Sequence, residues 1–260
     1  MEKTPDELVD FWNRRASTFP RYNETAGCYA DRVLAAVEAH GLSFAGKTVL
    51  DVGAGSGQFT LKIAKKAKRV VALDVSDQML AISQADAINL GLANVEYVVK
   101  PINEYRPAQR FDLTFASMCP ALRDDDSRRW LLESAQEAAI YLGFIDYVAP
   151  GPMPRLMERY QVERKLFNSG PDMEKWLKDN GHGFAGYPLE GTWTIIYDRQ
   201  EALHWCHTML NDYGVGDPDP AFLDQCLADF WDPAARDGAG AYVFDTPYFV
   251  DLIVWERKNP

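Results

Sequence analysis

Residues 48–60, TVLDVGAGSGQFT, constrain the fold more than any other stretch of the chain. Val49 and Leu50 are apolar, Asp51 follows, and glycines then fall at every second position, Gly53, Gly55 and Gly57, before a helical pattern begins near Phe59. That pattern predicts a strand entering a sharp turn that opens a helix. Glycine suits such a turn because the backbone adopts conformations a Cβ forbids and because a ligand comes close to the main chain. Residues 69–76, RVVALDVS, then predict a buried strand ending in an acid, Asp74. In nucleotide-binding α/β folds an acid in that place accepts hydrogen bonds from ribose hydroxyls.

The glycine spacing separates the ligand classes that use this architecture. A dinucleotide fingerprint, G-x-G-x-x-G, needs its third glycine where this chain has Gln58, and here the motif is D-x-G-x-G-x-G. No lysine followed by serine or threonine lies in the turn, so a phosphate-cradling P-loop also fits poorly. Asp51 sits badly beside a pyrophosphate and well near a cationic ammonium. Residues 49–57 followed by Asp74 resemble the first two motifs of the class I S-adenosylmethionine-dependent methyltransferases.

The resemblance implies a fold, a cofactor and a site. The fold is α/β, a doubly wound, mostly parallel seven-stranded sheet with N-terminal helices and a helical insertion before the last strand. The cofactor is S-adenosylmethionine, with S-adenosylhomocysteine as product. Asp51, Gly53, Ala54, Gly55 and Gly57 are expected around its methionine half, and Asp74 at its ribose. Val75 and Met79 are expected to flank the adenine, although Met79 reads equally well as helix core. After the third strand the family commonly carries an acid that accepts from the adenine amino group. This chain has Lys100 and Pro101 there, so Ile102 and Asn103 are expected to serve. The fourth strand opens onto Ser117, Met118, Cys119, Pro120 and Ala121, a loop that in the family lines the methyl donor and faces the acceptor. It is not the Asn/Asp-Pro-Pro-aromatic version of enzymes acting on nucleobase amines or glutamine. Ser117 joins the cofactor set. Met118, Cys119 and Pro120, with Trp12, Arg15 and Tyr22 from the aromatic N-terminus, form the candidate substrate set. Cys119 reads as a lining thiol rather than a nucleophile, because methyl transfer needs no covalent enzyme intermediate.

Charge and cysteine usage narrow the partners. The net charge is −11, and Lys62, Lys65, Lys66, Lys68 and Arg69 recur at helical spacing, as on a solvated helix face. Nucleic acid and anionic membrane are therefore not expected partners, and a small-molecule methyl acceptor is. No apolar run approaches the roughly 18 residues of a membrane span, the N-terminus has no apolar leader, and the four cysteines form no CxxC pair. The expected setting is cytoplasmic, with reduced thiols.

In chain order, a capped helix is expected from Thr4-Pro5 and a second over 27–40, together forming an N-terminal cap over 1–45. The cofactor-binding core, 46–150, alternates strands (to 52, 70–73, 95–99, 111–116, 141–147) with helices (58–67, 77–90, and 124 to about 139). The C-terminal half, 151–260, is expected to be helical over 153–167 and 172–180, with a strand at 192–197. A helical insertion over about 199–230 follows, and 241–256 reads as one bent strand or a hairpin. All of this is expected to be one methyltransferase domain.

No catalytic residue is assigned, because a base is needed only where the acceptor is protonated at neutral pH. His182, His204, His207 and Tyr22 are the candidates. No metal is expected, since the helix carrying His204, Cys206 and His207 has a core-like apolar pattern. Two other readings stay open. One is an NAD(P)-dependent oxidoreductase, which conflicts with the glycine spacing. The other is a non-catalytic S-adenosylmethionine-binding sensor or scaffold, whose binding motifs would look the same.

Overall fold

The computed structural model describes residues 4–162 and 169–257. Chain order begins with α1 (Pro5–Arg15) and α2 (Tyr29–His40), followed by β1 (Thr48–Val52), α3 (Thr60–Ala64), β2 (Arg69–Asp74), α4 (Asp77–Asn89), β3 (Val95–Val99) and β4 (Phe111–Ser117). Next come α5 (Asp125–Glu133), β5 (Ala135–Tyr147), α6 (Met153–Tyr160), α7 (Gly170–Asp179), β6 (Ala185–Tyr197), α8 (Arg199–Asp212), α9 (Pro220–Ala228), a two-residue β7 (Trp231–Asp232) and β8 (Ala241–Glu256). The strands lie in the order β3-β2-β1-β4-β5-β8-β6, with β7 paired to β8. β1 to β5 pair in parallel, level with one another: Val52 stands beside Leu73 on one side and Ala116 on the other. This is the doubly wound α/β sheet expected of the chain, and the strand order reverses beside β1.

The parallel centre explains its own sequence. Val49, Leu50, Val70, Val71, Ala72 and Leu73 are all buried, because helices cover both faces of a parallel sheet and leave no polar side. Local chemistry starts the helices where the sequence places them. Thr4 and Glu7 form a reciprocal capping box on α1, the Ser76 hydroxyl accepts the Met79 N–H on α4, and Asp124 accepts the Ser127 N–H on α5.

Three elements differ from expectation. The helix expected to run to about 139 stops at Glu133, and Ala135 to Ala139 are strand, paired with Phe111 to Thr114 of β4. Alanine-rich sequence favours helix, but Ala135, Ala138 and Ala139 are buried between sheet neighbours, where packing overrides propensity. β6 begins at Ala185, seven residues before the predicted strand, through Gly186, Pro188 and Gly191. β6 ends the strand order, and an edge strand tolerates a proline whose missing N–H faces outward. β8 is a single strand, one of the two forms expected of 241–256. The helix expected over 153–167 ends at Tyr160, and residues 163–167 lie outside the described residues.

The chain divides into two compact units, residues 1–145, 167–189 and 250–260 in one and 146–166 and 190–249 in the other. The second has its own core, in which α6, α8 and α9 enclose Leu156, Trp205, Cys206, Leu223, Leu227 and Phe244. Cys206 is fully buried there among the apolar residues of that core. Among the described residues no helix is long and apolar enough to cross a membrane.

Phe244 is the hub of that second core. Its ring stands edge-on to Tyr197, Trp205 and Phe230, all at 5.3 Å between centroids, and a Cβ at Gly151 would lie 2.7 Å from it. Phe244→Ala is therefore expected to cost about 3–5 kcal/mol in urea unfolding.

Candidate cofactor site

β1 ends in a hook whose hydrogen bonds fix the backbone before any ligand arrives. The N–H groups of Gly53 and Ala54 both donate to the Leu73 carbonyl, at 2.8 and 3.1 Å, and the Gly55 N–H donates to Asp74 Oδ2 at 2.8 Å. The Ser76 N–H donates to Asp74 Oδ1 at 2.9 Å, so one carboxylate ties the hook to the start of α4. Gly53 and Gly57 have φ of +71° and +89°, and a Cβ would lie 2.8 Å from Cys119 Sγ at the first and 2.3 Å from Ser83 Oγ at the second. No side chain fits at either place.

Two acids share this corner. Asp51 is buried, 2% exposed, with Oδ2 accepting the Thr60 hydroxyl at 2.6 Å. Burial pushes its carboxyl up to about 7, the Thr60 hydrogen bond opposes that rise, and the charge of Asp74 adds to it. Asp74 is half-buried. Burial raises its carboxyl too, against the backbone N–H bonds of Ser76, Gly55 and Val75. Among the described residues neither acid has a lysine or arginine within ion-pair distance.

The N-terminal segment lies across the hook. The Ser56 hydroxyl donates to the Pro20 carbonyl at 2.6 Å, Arg21 pairs with Gly57 in an antiparallel bridge, and a Gly55 Cβ would be 3.4 Å from the Phe19 ring. Asn13 anchors α1 to α4: its Oδ1 accepts the Ser76 hydroxyl at 2.6 Å and its Nδ2 donates to Asp77 at 2.9 Å. Arg21 is held by Asp86 at 2.5 Å. Trp12 meets Phe19 edge-on at 5.9 Å, and the Arg15 guanidinium lies 4.5 Å from the centre of the Phe11 ring. Trp12 and Arg15 thus belong to the segment over the hook. Tyr22 does not: its hydroxyl takes the Lys65 ammonium, and Lys62 lies 5.5 Å from its ring.

The remaining candidates fall around the same corner. Met79 is buried, with its sulfur 3.7 Å from where a Gly55 Cβ would be, while Val75 is partly exposed. After β3 the Lys100 N–H donates to the Asp74 carbonyl at 2.9 Å, Ile102 packs on the central core, and Asn103 is exposed. After β4, Ser117 and Pro120 are partly exposed, Met118 adopts a left-handed φ of 50°, and its N–H donates to the Leu142 carbonyl at 2.8 Å. Cys119 is buried against Gly53, and burial pushes its thiol up to about 12, so it stays protonated at neutral pH. Of the histidines proposed as bases, His182 lies tilted against Trp176 at 5.8 Å and edge-on to Trp255 at 6.0 Å. Asn13, Ser56 and Ser83 escaped sequence reasoning. Ser56 is a variable position of the glycine motif, Ser83 belongs to no motif, and Asn13 meets Ser76 across 63 residues of chain.

Comparisons with known proteins agree with this geometry. Residues 49–138 match a family model described as a methyltransferase domain. The chain is similar to a ribosomal RNA small subunit methyltransferase G of Laribacter hongkongensis, 29% identical over 140 residues, covering 52% of this chain and 66% of that protein. It is also similar to a ubiquinone biosynthesis O-methyltransferase of Acinetobacter baylyi, 27% identical over 40% of this chain and 45% of that protein. The chain thus spans only part of the length of these relatives. Its fold matches that of magnesium protoporphyrin IX methyltransferase from Synechocystis PCC 6803, solved with bound S-adenosylmethionine, at a TM-score of 0.54 and 13% identity over 99% of both chains. Residues 49–138 thus match a methyltransferase domain, and the fold is that of the class I S-adenosylmethionine-dependent methyltransferases.

The cofactor of that class suits the residues present. The glycines keep the backbone of the hook bare of side chains, and the two acids, which among the described residues have no cation, suit a ligand that carries positive charge.

A carboxyl raised on folding holds its proton more tightly in the folded state. Its contribution to stability is therefore full below the unfolded value of 3.8 and is lost as pH climbs through about 7. Without cofactor, stability is expected to fall between about pH 4 and 7. Asp51→Asn should flatten that fall in urea titrations taken across the range, while Asp74 and Asp251, raised in the same direction, keep a residual slope.

Proposed function

We propose that the protein transfers a methyl group from S-adenosylmethionine to a small-molecule acceptor. The observation that carries this reading is the pair Asp51 and Asp74, two acids at the glycine hook without a cationic partner among the described residues. Asp74 keeps acceptor capacity beyond its backbone bonds and would take the ribose hydroxyls in charge-assisted hydrogen bonds. Gly53, Ala54, Gly55 and Gly57 would leave room for the methionine half, with Asp51 beneath. Val75, Met79, Ile102 and Asn103 would border the adenine, and Ser117 the donor end. When bound, the cofactor supplies an already activated methyl group. The chain's own residues then need only hold the partners in line and keep water out, which can account for about 7–11 kcal/mol in favourable cases.

Trp12 and Arg15, with Met118, Cys119 and Pro120 of the post-β4 loop, would face the acceptor. Cys119 acts as a wall, since a protonated buried thiol is a poor nucleophile. A small acceptor is favoured over RNA by the fate of the basic side chains around α3. Lys62 pairs with Asp31 at 2.7 Å, Lys66 with Glu38 at 2.5 Å, and Arg69 with Glu96, which leaves little free charge for a phosphate track. The similarity to a ribosomal RNA methyltransferase makes RNA the second reading. Label from S-adenosylmethionine entering 16S ribosomal RNA, and no metabolite, would decide for it.

In thermal unfolding, S-adenosylhomocysteine at a hundred times its Kd should stabilise the protein by about 2.7 kcal/mol, and NAD should not. Asp74→Ala should abolish that shift. A retained shift would refute the ribose assignment, and a shift with NAD alone would favour an oxidoreductase. Product formation with a metabolite panel separates an enzyme from a binding scaffold.

A further inference from the structure

Beyond the two acids of the hook, the sheet holds a third buried acid to which the site gives no role. Asp251 stands on β8 and is 6% exposed, a burial that carboxyl groups seldom reach without a partner. Two glycines make room for it. A Cβ at Gly170, the first residue of α7, would lie 2.7 Å from Asp251 Cβ. A Cβ at Gly186 of β6 would lie 3.5 Å from Asp251 Oδ1 and 2.8 Å from Glu174 Oε1. Two carboxyl groups therefore converge on one point at Gly186, one from β8 and the other from α7.

Their surroundings differ. Glu174 Oε2 takes the Lys178 ammonium at 2.9 Å, while among the described residues Asp251 has no lysine or arginine within ion-pair distance. The Asp251 carboxyl donates to Glu174 and accepts the Tyr187 N–H of β6. Glu174 and Lys178 are thus the charged groups that face it from α7, and β6 faces it with Gly186 and the Tyr187 backbone. The Tyr187 hydroxyl meets the His40 ring instead, whose other nitrogen lies 3.1 Å from Glu256. Burial pushes the Asp251 carboxyl up to about 6, the charge and hydrogen bond of Glu174 add to the rise, and the Tyr187 N–H and Lys178 oppose it.

The place of the pair gives it reach. Ser169, the N-cap of α7, pairs with Phe144 of β5 in a parallel bridge, two residues past Leu142, which is level with Ser117 of β4. The start of α7 therefore lies at the end of the sheet that carries the hook and the post-β4 loop. Met173 and Trp176 of the same helix belong to one buried cluster with Cys119, Leu122 and Tyr141. A close-packed interior transmits strain, so the seating of α7 bears on Cys119, and Cys119 on Gly53.

We propose that Asp251 and Glu174 share one proton and form a pH-operated latch that holds the start of α7 on β6 and β8. With the proton present, a carboxyl–carboxylate hydrogen bond joins helix to sheet. Once the proton leaves to solvent, two negative charges face each other in a buried place, and only the exposed Lys178 offsets one of them. A carboxyl raised on folding contributes stability in full below 3.8 and loses it as pH climbs through about 6. Mild acid thus firms the wall behind Cys119 and neutral pH loosens it, whichever acceptor is bound.

The test is amide hydrogen exchange on the full chain at pH 5 and 7.5, each corrected for the intrinsic exchange rate. Protection over α7 should fall about tenfold from the lower pH to the higher. Glu174→Gln, whose amide can donate to an ionised Asp251, should remove that fall. Carbon-13 NMR of labelled aspartates follows the carboxyl itself. The resonance missing from Asp251→Asn should titrate near pH 6 in the wild type and at a lower pH in Glu174→Gln, a shift that a merely structural contact would not produce. The exchange comparison needs no Asp251 variant, so it decides even if Asp251→Asn fails to fold. Equal protection at both pH values in the wild type, or a midpoint that Glu174→Gln leaves in place, overturns the latch. So does a fall in α7 that persists in Glu174→Gln, which would assign the effect to Asp51.

Discussion

The Asp74 carboxylate accepting one N–H from the glycine hook and another from the start of α4 is the contact on which the rest depends. It closes the corner between β1 and β2 from the second strand's side, while the Leu73 carbonyl closes it from the backbone. A half-buried acid is an expensive clasp, and two N–H bonds to a charged acceptor are what make it tolerable. The clasp also leaves an acidic corner, shared with Asp51, that no lysine or arginine among the described residues neutralises. In the proposed function the charge that holds the hook would also select the ligand.

Two segments distant in sequence converge on that hook. From the N-terminus, Phe19, Pro20 and Arg21 lie across it, held by Ser56, Gly57 and Asp86. From the sheet, Cys119 fills the space that a side chain at Gly53 would need. Gly53 therefore answers to two demands at once, a left-handed backbone and contact with the post-β4 loop. The cofactor side and the proposed acceptor side meet there, and a change at Gly53 or Cys119 would be felt by both.

Much of this was legible beforehand for a physical reason. The hook, its preceding acid, the acid at the end of β2 and the helix caps at Thr4, Ser76 and Asp124 are local features, written by residues within a few positions of one another. Expectation failed where local preference and tertiary context disagree. Alanines at 135, 138 and 139 prefer helix in isolation, yet they became strand beside β4. Gly186, Pro188 and Gly191 disfavour strand, yet they lie in β6, at the sheet edge where their cost is small.

The sequence alone determined the fold class and the ligand corner, because periodicity and glycine spacing act through short-range backbone sterics. Tertiary structure decided what lies across the corner and beside it. Asn13 on Ser76 and Ser56 on Pro20 join residues dozens of positions apart. Tyr141 reaches the level of the hook only through the register of β5 on β4. The last strand, β8, takes its place between β5 and β6 by the same kind of long-range pairing. Such contacts leave no periodic trace in a single chain, since each depends on where the sheet carries two distant segments rather than on what either segment prefers by itself.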